Sequence, residues 1–249
     1  MTLFINDPTP IAAPSLGTIA PDDISYFSEF ERDAAGHWIF DRDEKSLNDL
    51  GSGVTLAAQG IAPVFRPKYL TLSSAKGNAL LTPFTEIVNQ VDTMWAVVRN
   101  TSPIAFQPFM GSIAESGGAN TGSSLFMNFD SDVYSWAQGV YNVSLLSRTF
   151  TPGSWMFMCY TRNFVTPTSA AVLIGGQADV TIGPPAGTPY RPTAGNIGMG
   201  NPYYTPGGVG TYDFAEFGVI NAAYSATQRV DLFARSVARM AKRGITVVT

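Results

Sequence analysis

The C-terminal stretch constrains the fold more than any other part of this chain. Tyr212-Asp213-Phe214-Ala215-Glu216-Phe217-Gly218-Val219-Ile220-Asn221 is a long, mostly apolar strand, and Ala222-Ala223-Tyr224-Ser225 leads from it into a helix reaching Gly244. Ser225 suits the N-cap because its hydroxyl can accept an orphan amide hydrogen bond, and Gln228 stands three residues on, at capping-box spacing. Val230, Phe233, Ala234, Val237, Met240 and Ala241 recur at three- and four-residue steps, which predicts one buried apolar stripe. Lys242 and Arg243 close the last turn and Gly244 can take the left-handed C-terminal conformation. Ile245-Thr246-Val247-Val248 then ends the chain. Nothing else in the sequence has convincing helical periodicity, so the helix must pack on a sheet that includes its own preceding strand.

Short strand-like runs fill the rest: His37–Asp41, Val54–Ala57, Tyr69–Ser73, Thr93–Arg99, Ser124–Phe129, Val133–Ala137, Tyr141–Leu146, Trp155–Arg162, Ala171–Gly175, Asp179–Ile182 and Asp213–Asn221. Gly, Pro, Asn or Ser bounds most of them. In Tyr69-Leu70-Thr71-Leu72-Ser73 the leucines share one face, whereas Met94-Trp95-Ala96-Val97-Val98 and Trp155–Tyr160 are apolar on both, as central strands of a packed sandwich are. Many strands without interleaved helices predict two packed antiparallel sheets. The expectation is an all-β, two-sheet antiparallel jelly-roll sandwich with one C-terminal amphipathic helix. At 249 residues one such domain is of ordinary size.

Two segments stand apart. Residues 1–24 hold Pro8, Pro10, Pro14 and Pro21 with little periodicity and read as an extended N-terminal arm, followed by a single domain over 25–249. An arm of this kind is either disordered or laid across a neighbouring subunit, and Leu3, Phe4, Ile5 and Ile11, which need cover, tip the reading toward the second. Asn163–Tyr212 carries only two charged residues, Asp179 and Arg191, and is rich in proline and glycine. Its core, Gly183–Pro192, can form neither a helix nor a central strand. Long loops of this kind carry contacts, so Tyr190, Tyr203 and Tyr204 are candidate ligand- or partner-binding residues. Trp136 is a further candidate, as a ring that could stack on a sugar, with core packing as its favoured reading.

Composition excludes several classes of function. A net charge of −4 argues against a nucleic-acid partner, and the basic residues Arg229, Arg235, Arg239, Lys242 and Arg243 read as one solvated helix face. The single cysteine, Cys159, precludes an internal disulfide and reads as a buried small hydrophobe. The N-terminus lacks the basic and apolar regions of a signal peptide, and no apolar run is long enough to span a membrane. No cofactor or metal is expected. Asp41, Asp43, Asn48 and Asp49 could suit calcium by type, but a solvated acidic turn is the favoured reading. His37, the lone histidine, reads as a structural residue, and Glu216 as a paired structural carboxylate within its apolar run.

Four segments resemble the concanavalin A-like lectin/glucanase superfamily, in particular LamG-type jelly rolls of bacteriophage virion proteins. Ala35–Asp41 with Leu47–Gly53 looks like the family's opening strand and its D-L-S-G-N-G turn. Asp92–Arg99 looks like T-I-W-A-V-V-R, and Gly153–Tyr160 resembles its W-x-h-x-a-x-T strand. Phe214–Ser225 looks like I-A-E-F-I-V-Y-N-R-A-L-S, the most specific of the four. The resemblance covers roughly residues 35–248. It implies a concanavalin A-like jelly roll, but the catalytic E-x-D-x-x-E of the glucanases has no counterpart: Glu31-Arg32-Asp33-Ala34-Ala35-Gly36 puts Gly where the last Glu is needed.

Two functional expectations follow. The favoured one is a non-enzymatic virion component, a capsid decoration, tail or fibre protein, made in the host cytoplasm. It would be homo-oligomeric and grip other virion proteins through its arm and the Gly/Pro/Tyr loop. The alternative is a lectin-like module that binds a surface glycan through Tyr203, Tyr204 or Trp136. Neither involves nucleic acid, a membrane or a catalytic residue.

Overall fold

In this computed structural model the period-two alternation of side chains sets the layering. The structure describes residues 30–49, 51–101, 107–116, 119–127, 132–137, 141–149, 152–165, 169–175, 177–182, 190–193 and 195–249. The arm predicted over 1–24 and the loop core at 183–189 lie outside them. In chain order the strands are β1 (Gly36–Ile39), β2 (Ala57–Gln59), β3 (Val64–Arg66), β4 (Tyr69–Ser73), β5 (Asn78–Thr85) and β6 (Val91–Asn100). Then come β7 (Gln107–Gly111), β8 (Ala114–Ser116), β9 (Ala119–Thr121), β10 (Ser123–Met127), β11 (Asp132–Ala137) and β12 (Tyr141–Thr149). The last are β13 (Met156–Asn163), β14 (Ser169–Ile174), β15 (Val180–Ile182), β16 (Asn196–Asn201) and β17 (Thr211–Ile220), followed by helix α1 (Ala226–Lys242).

Two antiparallel sheets face each other. One runs β15-β14-β13-β6-β17-β4-β3, and β1 pairs with β17 beyond the end of β4. The other runs β12-β11-β10-β7-β16-β5-β2, and β8 and β9 form a separate hairpin. The chain crosses between sheets repeatedly, so this is the expected sandwich with its C-terminal helix. Between the sheets lie Leu70 and Leu72 of β4, Met94, Ala96 and Val98 of β6, and Met156, Met158 and Tyr160 of β13, all buried. Trp38 and Phe217 are cross-strand partners whose rings stack 5.6 Å apart. Both Phe214 and Phe217 enter this core because the register of β17 against β6 shifts between Phe214 and Glu216. The extra residue of that bulge leaves Glu216 on the outer face.

Cys159 is buried, and that burial pushes its thiol up to about 12. The helix forms where the sequence placed it. Its capping box is complete, and Gly244 and Ile245 donate to Ala241 O and Met240 O at 2.9 Å, closing it with a Schellman motif.

The face it buries is only partly the predicted one: Met240 is buried and Phe233 packs on Phe157 at 5.3 Å as expected, but the stripe is rotated. Arg229, Leu232, Ser236, Arg239 and Met240 are buried, while Val230 is 50% exposed and Ala234 and Ala241 are open to solvent. Arg229 and Arg239 thus leave the solvated basic face assigned to them. The reason is electrostatic: carboxylates on the sheet below, Asp179 and Glu216, need cations, so the helix turns its arginines toward them.

A second correction concerns Asn163–Tyr212. Within this segment β16 lies between β7 and β5, inside a sheet rather than in a loop. Gly198 permits this, since a side chain there would come within 2.4 Å of Leu80 O.

Candidate functional site

Two clusters of buried charge look at first like chemistry. Glu216 is fully buried, and its Oε1 meets His37 Nε2 at 2.9 Å, Trp95 Nε1 at 2.9 Å and Arg239 Nη2 at 2.7 Å. Ser236 Oγ donates to its Oε2 at 2.5 Å. Burial opposes ionisation, but Arg239, His37 and Ser236 outweigh it and hold the carboxyl well below the usual range. Gly218 makes the room, since a Cβ there would lie 2.1 Å from the Trp95 ring. With His37 1% exposed, no substrate reaches this cluster, and its work is to fasten α1 to β17, β6 and β1. This accords with the structural reading of both His37 and Glu216.

The other cluster centres on Arg162, also fully buried. It continues the inward row Met156, Met158, Tyr160 and stands directly opposite Asp92 on β6. Its Nε donates to Asp92 Oδ1 at 2.7 Å, and its Nη2 pairs with Asp92 Oδ2. Nη1 pairs with Glu86 and donates to Ser123 Oγ at 2.6 Å. Ser112 Oγ, at 2.5 Å, and Thr193 N, at 3.1 Å, also donate to Glu86. Because Ser123 belongs to β10 and Arg162 to β13, the cluster bolts one sheet to the other.

Tyr190 belongs to this interior. It is only 3% exposed, its ring lies 4.2 Å from that of Phe164, and burial beside Glu86 pushes its phenol well above the ordinary value. Expected at a contact surface, Tyr190 is instead a core residue, because its ring packs on Phe164 within the apolar cluster between the sheets. Trp136 lies on β11 opposite Ser124, and its side chain is outside the described residues.

Tyr203 and Tyr204 are both half-buried and lie where a ligand could reach them. Asn201 fixes the turn: its Oδ1 accepts from Tyr204 N at 3.0 Å and its Nδ2 donates to Tyr204 O at 2.8 Å. The Tyr204 ring stands edge-on to Phe126 at 5.3 Å. Tyr203 Oη accepts from Asn196 N at 3.3 Å, so this phenol is committed to the sheet.

Beside Tyr204 three polar side chains bond to one another. Glu115 Oε2 accepts from Lys76 Nζ at 3.0 Å and from Thr205 Oγ1 at 2.5 Å, and Lys76 Nζ lies 3.2 Å from Thr205 Oγ1. Lys76 and Glu115 are 49% and 37% exposed. The Thr205 hydroxyl, followed by Lys76, lowers the Glu115 pKa, which keeps the group an acceptor. Burial, with Glu115 nearby, raises that of the Tyr204 phenol, which keeps it a donor. The sequence pointed to the tyrosines but not to Lys76, Glu115 or Thr205, which come from the β4–β5 turn, strand β8 and the loop after β16 and share no local motif.

The acidic turn near residue 43 is occupied by its own backbone. Asp43 caps a short 3-10 helix (Glu44–Leu47), Asn48 Oδ1 accepts from Thr55, and Asp49 accepts from Gly51 N and Ser52 N.

No family model matches the sequence, and no curated protein matches it. Solved structures do. The Trypanosoma rangeli sialidase in complex with sialic acid aligns with a TM-score of 0.59 at 14% identity, over 82% of this chain and 33% of that one. The botulinum neurotoxin serotype D binding domain aligns at 0.58 and 12% identity, over 84% of this chain and 52% of that one. The type G receptor binding domain gives 0.58 and 11%, over 82% and 51%. The chain thus spans about a third of the sialidase and about half of each toxin domain. At this identity the likeness shows a shared β-sandwich fold.

Proposed function

We propose that this chain is a binding β-sandwich that recognises a glycan through the surface formed by Tyr204, Lys76, Glu115 and Thr205. The observation that carries this reading is the closed set of hydrogen bonds among Lys76, Glu115 and Thr205 beside the half-exposed Tyr204 ring. A sugar presents an apolar C–H face and adjacent hydroxyls, each both donor and acceptor. A phenol ring next to a carboxylate, an ammonium and a hydroxyl matches both features. Because the three polar groups already hold one another, little side-chain entropy remains to be lost on binding. The structural neighbours support a binding role: one is a sialidase solved with sialic acid and two are toxin binding domains. The reading as a virion component leans on residues 1–24 and the 183–189 loop core, outside the described residues, so the described surface favours the glycan.

The test is binding of the purified chain to an array of neutral and sialylated glycans. At least one should be retained, and Tyr204→Ala should weaken it by about tenfold or more. Retention unchanged by both Tyr204→Ala and Glu115→Gln, or no retention at all, would overturn the proposal.

A further inference from the structure

A cleft lies on the outer face of the sheet that contains β13, β14 and β15, where α1 begins, with a volume of about 330 Å³. Its floor follows from register. Thr161 pairs with Ala171 and Ala171 with Thr181, so one row across β13, β14 and β15 reads hydroxyl, methyl, hydroxyl. The next row pairs Asn163 with Ser169. Tyr224 and Gln228 belong to the wall.

The hydrogen-bonding state of these groups can be worked out. Thr93 Oγ1 donates to Ala222 O at 2.8 Å, so in its 3.0 Å contact with Thr161 Oγ1 it is Thr161 that donates. Thr161 therefore offers lone pairs to the cleft. Gln228 Oε1 accepts from Ser225 N at 2.9 Å and Asn163 Oδ1 from Val165 N at 3.3 Å, which leaves both amide NH2 groups to donate. The hydroxyls of Ser169 and Thr181 have no protein partner among the described residues and can do either.

Charge is cancelled. The Arg229 guanidinium, at the back, pairs through both Nε and Nη2 with Asp179 and also donates to Tyr224 O. The cleft thus combines neutral donors, acceptors and hydroxyls around the methyl of Ala171, with no uncommitted cation.

We infer that this cleft is a second binding site, for one neutral sugar ring, separate from the Tyr204 surface. Its volume lies at the small end of ligand pockets, and its neutrality selects against carboxylated sugars, whose anion would find no counter-charge. The inference rests on the cleft's own groups and goes beyond the reading of the Tyr204 surface.

The experiment is a ligand-observed saturation-transfer NMR titration of the full-length Tyr204→Ala chain, in which the other surface is disabled, with methyl glucoside, methyl galactoside, methyl mannoside and N-acetylglucosamine, with sialic acid and glucuronate as charged probes. Saturable transfer is expected for at least one neutral ring and for neither acid. Thr181 is exposed on the edge strand β15, so Thr181→Trp should fill the cleft and abolish the signal while leaving the melting temperature unchanged. Thr181→Ala should weaken binding by about five- to tenfold, the loss of one or two hydrogen bonds. Transfer that persists in Thr181→Trp with Tyr204 intact but disappears in Tyr204→Ala would overturn this site and leave the glycan surface standing. Absence of transfer from every neutral ring, or preference for an acid, would also overturn it.

Discussion

The two buried charge clusters solve the same problem in opposite places. Around Glu216 a single carboxylate on the outer face of a sheet gathers Arg239, His37, Trp95 and Ser236 and so fixes the helix. Around Arg162 a single cation on the inner face gathers Asp92 and Glu86 and so fixes one sheet to the other. The first can lose its central charge more cheaply, because an amide in place of the carboxylate can still bond to Trp95 and Ser236. The second cannot, because removing Arg162 strands two carboxylates in the core. Both differ from the Lys76–Glu115–Thr205 set, where the charged pair faces solvent and ties no sheet or helix to another.

The largest expected effect follows from that asymmetry. Arg162→Met should cost about 3–5 kcal/mol, or prevent folding outright, as seen in chemical unfolding. Glu216→Gln should cost less, about 3 kcal/mol, and its penalty should depend on pH. Because the folded-state pKa of Glu216 is depressed, its contribution is present above the ordinary carboxylate range and is lost as pH falls through that range and below. The difference in melting temperature between wild type and Glu216→Gln should therefore be widest near neutrality and narrow in acid. A gap of constant width would break the comparison.

Gly218→Ala tests the same cluster sterically. The new methyl would displace the Trp95 indole from Glu216 and should cost about 1–3 kcal/mol in thermal or chemical unfolding. Ser225→Ala removes the cap that starts α1, worth about 1 kcal/mol. The smallest effect on stability belongs to the exposed set: Glu115→Gln should change it by at most about 1 kcal/mol while reducing glycan retention.

How much of this was legible in the sequence differs from element to element. The capping box, the Gly244 stop and the alternation of Leu70 and Leu72 are local signals, and the helix, β4, β6, β13 and β17 stand where they pointed. By contrast β5, β7 and β16 carry Pro83, Pro108, Gly198 and Gly200, residues that punctuate strands as a rule. Here they are held by pairing with distant strands, as where the β16–β5 register shifts between Asn196 and Gly198, near Pro83. The buried arginines were illegible for a related reason. Arg162 lies 70 residues from Asp92 and 76 from Glu86, and Arg239 is 23 from Glu216, so no window along the chain shows that they are paired. Of the four rings proposed for binding, Tyr203 and Tyr204 lie at the surface and Tyr190 is in the core. An aromatic residue in a Gly/Pro-rich segment can serve either purpose, and only the fold around it decides.

The most direct test of the account is an amide-resolved NMR titration of the chain with whichever arrayed glycan it retains. The account predicts that the largest shifts fall on Lys76, Glu115 and Tyr203–Thr205, with His37, Arg162, Glu216 and Arg239 unmoved. Saturable shifts centred on the buried clusters, with Tyr204 and its neighbours silent, would contradict it.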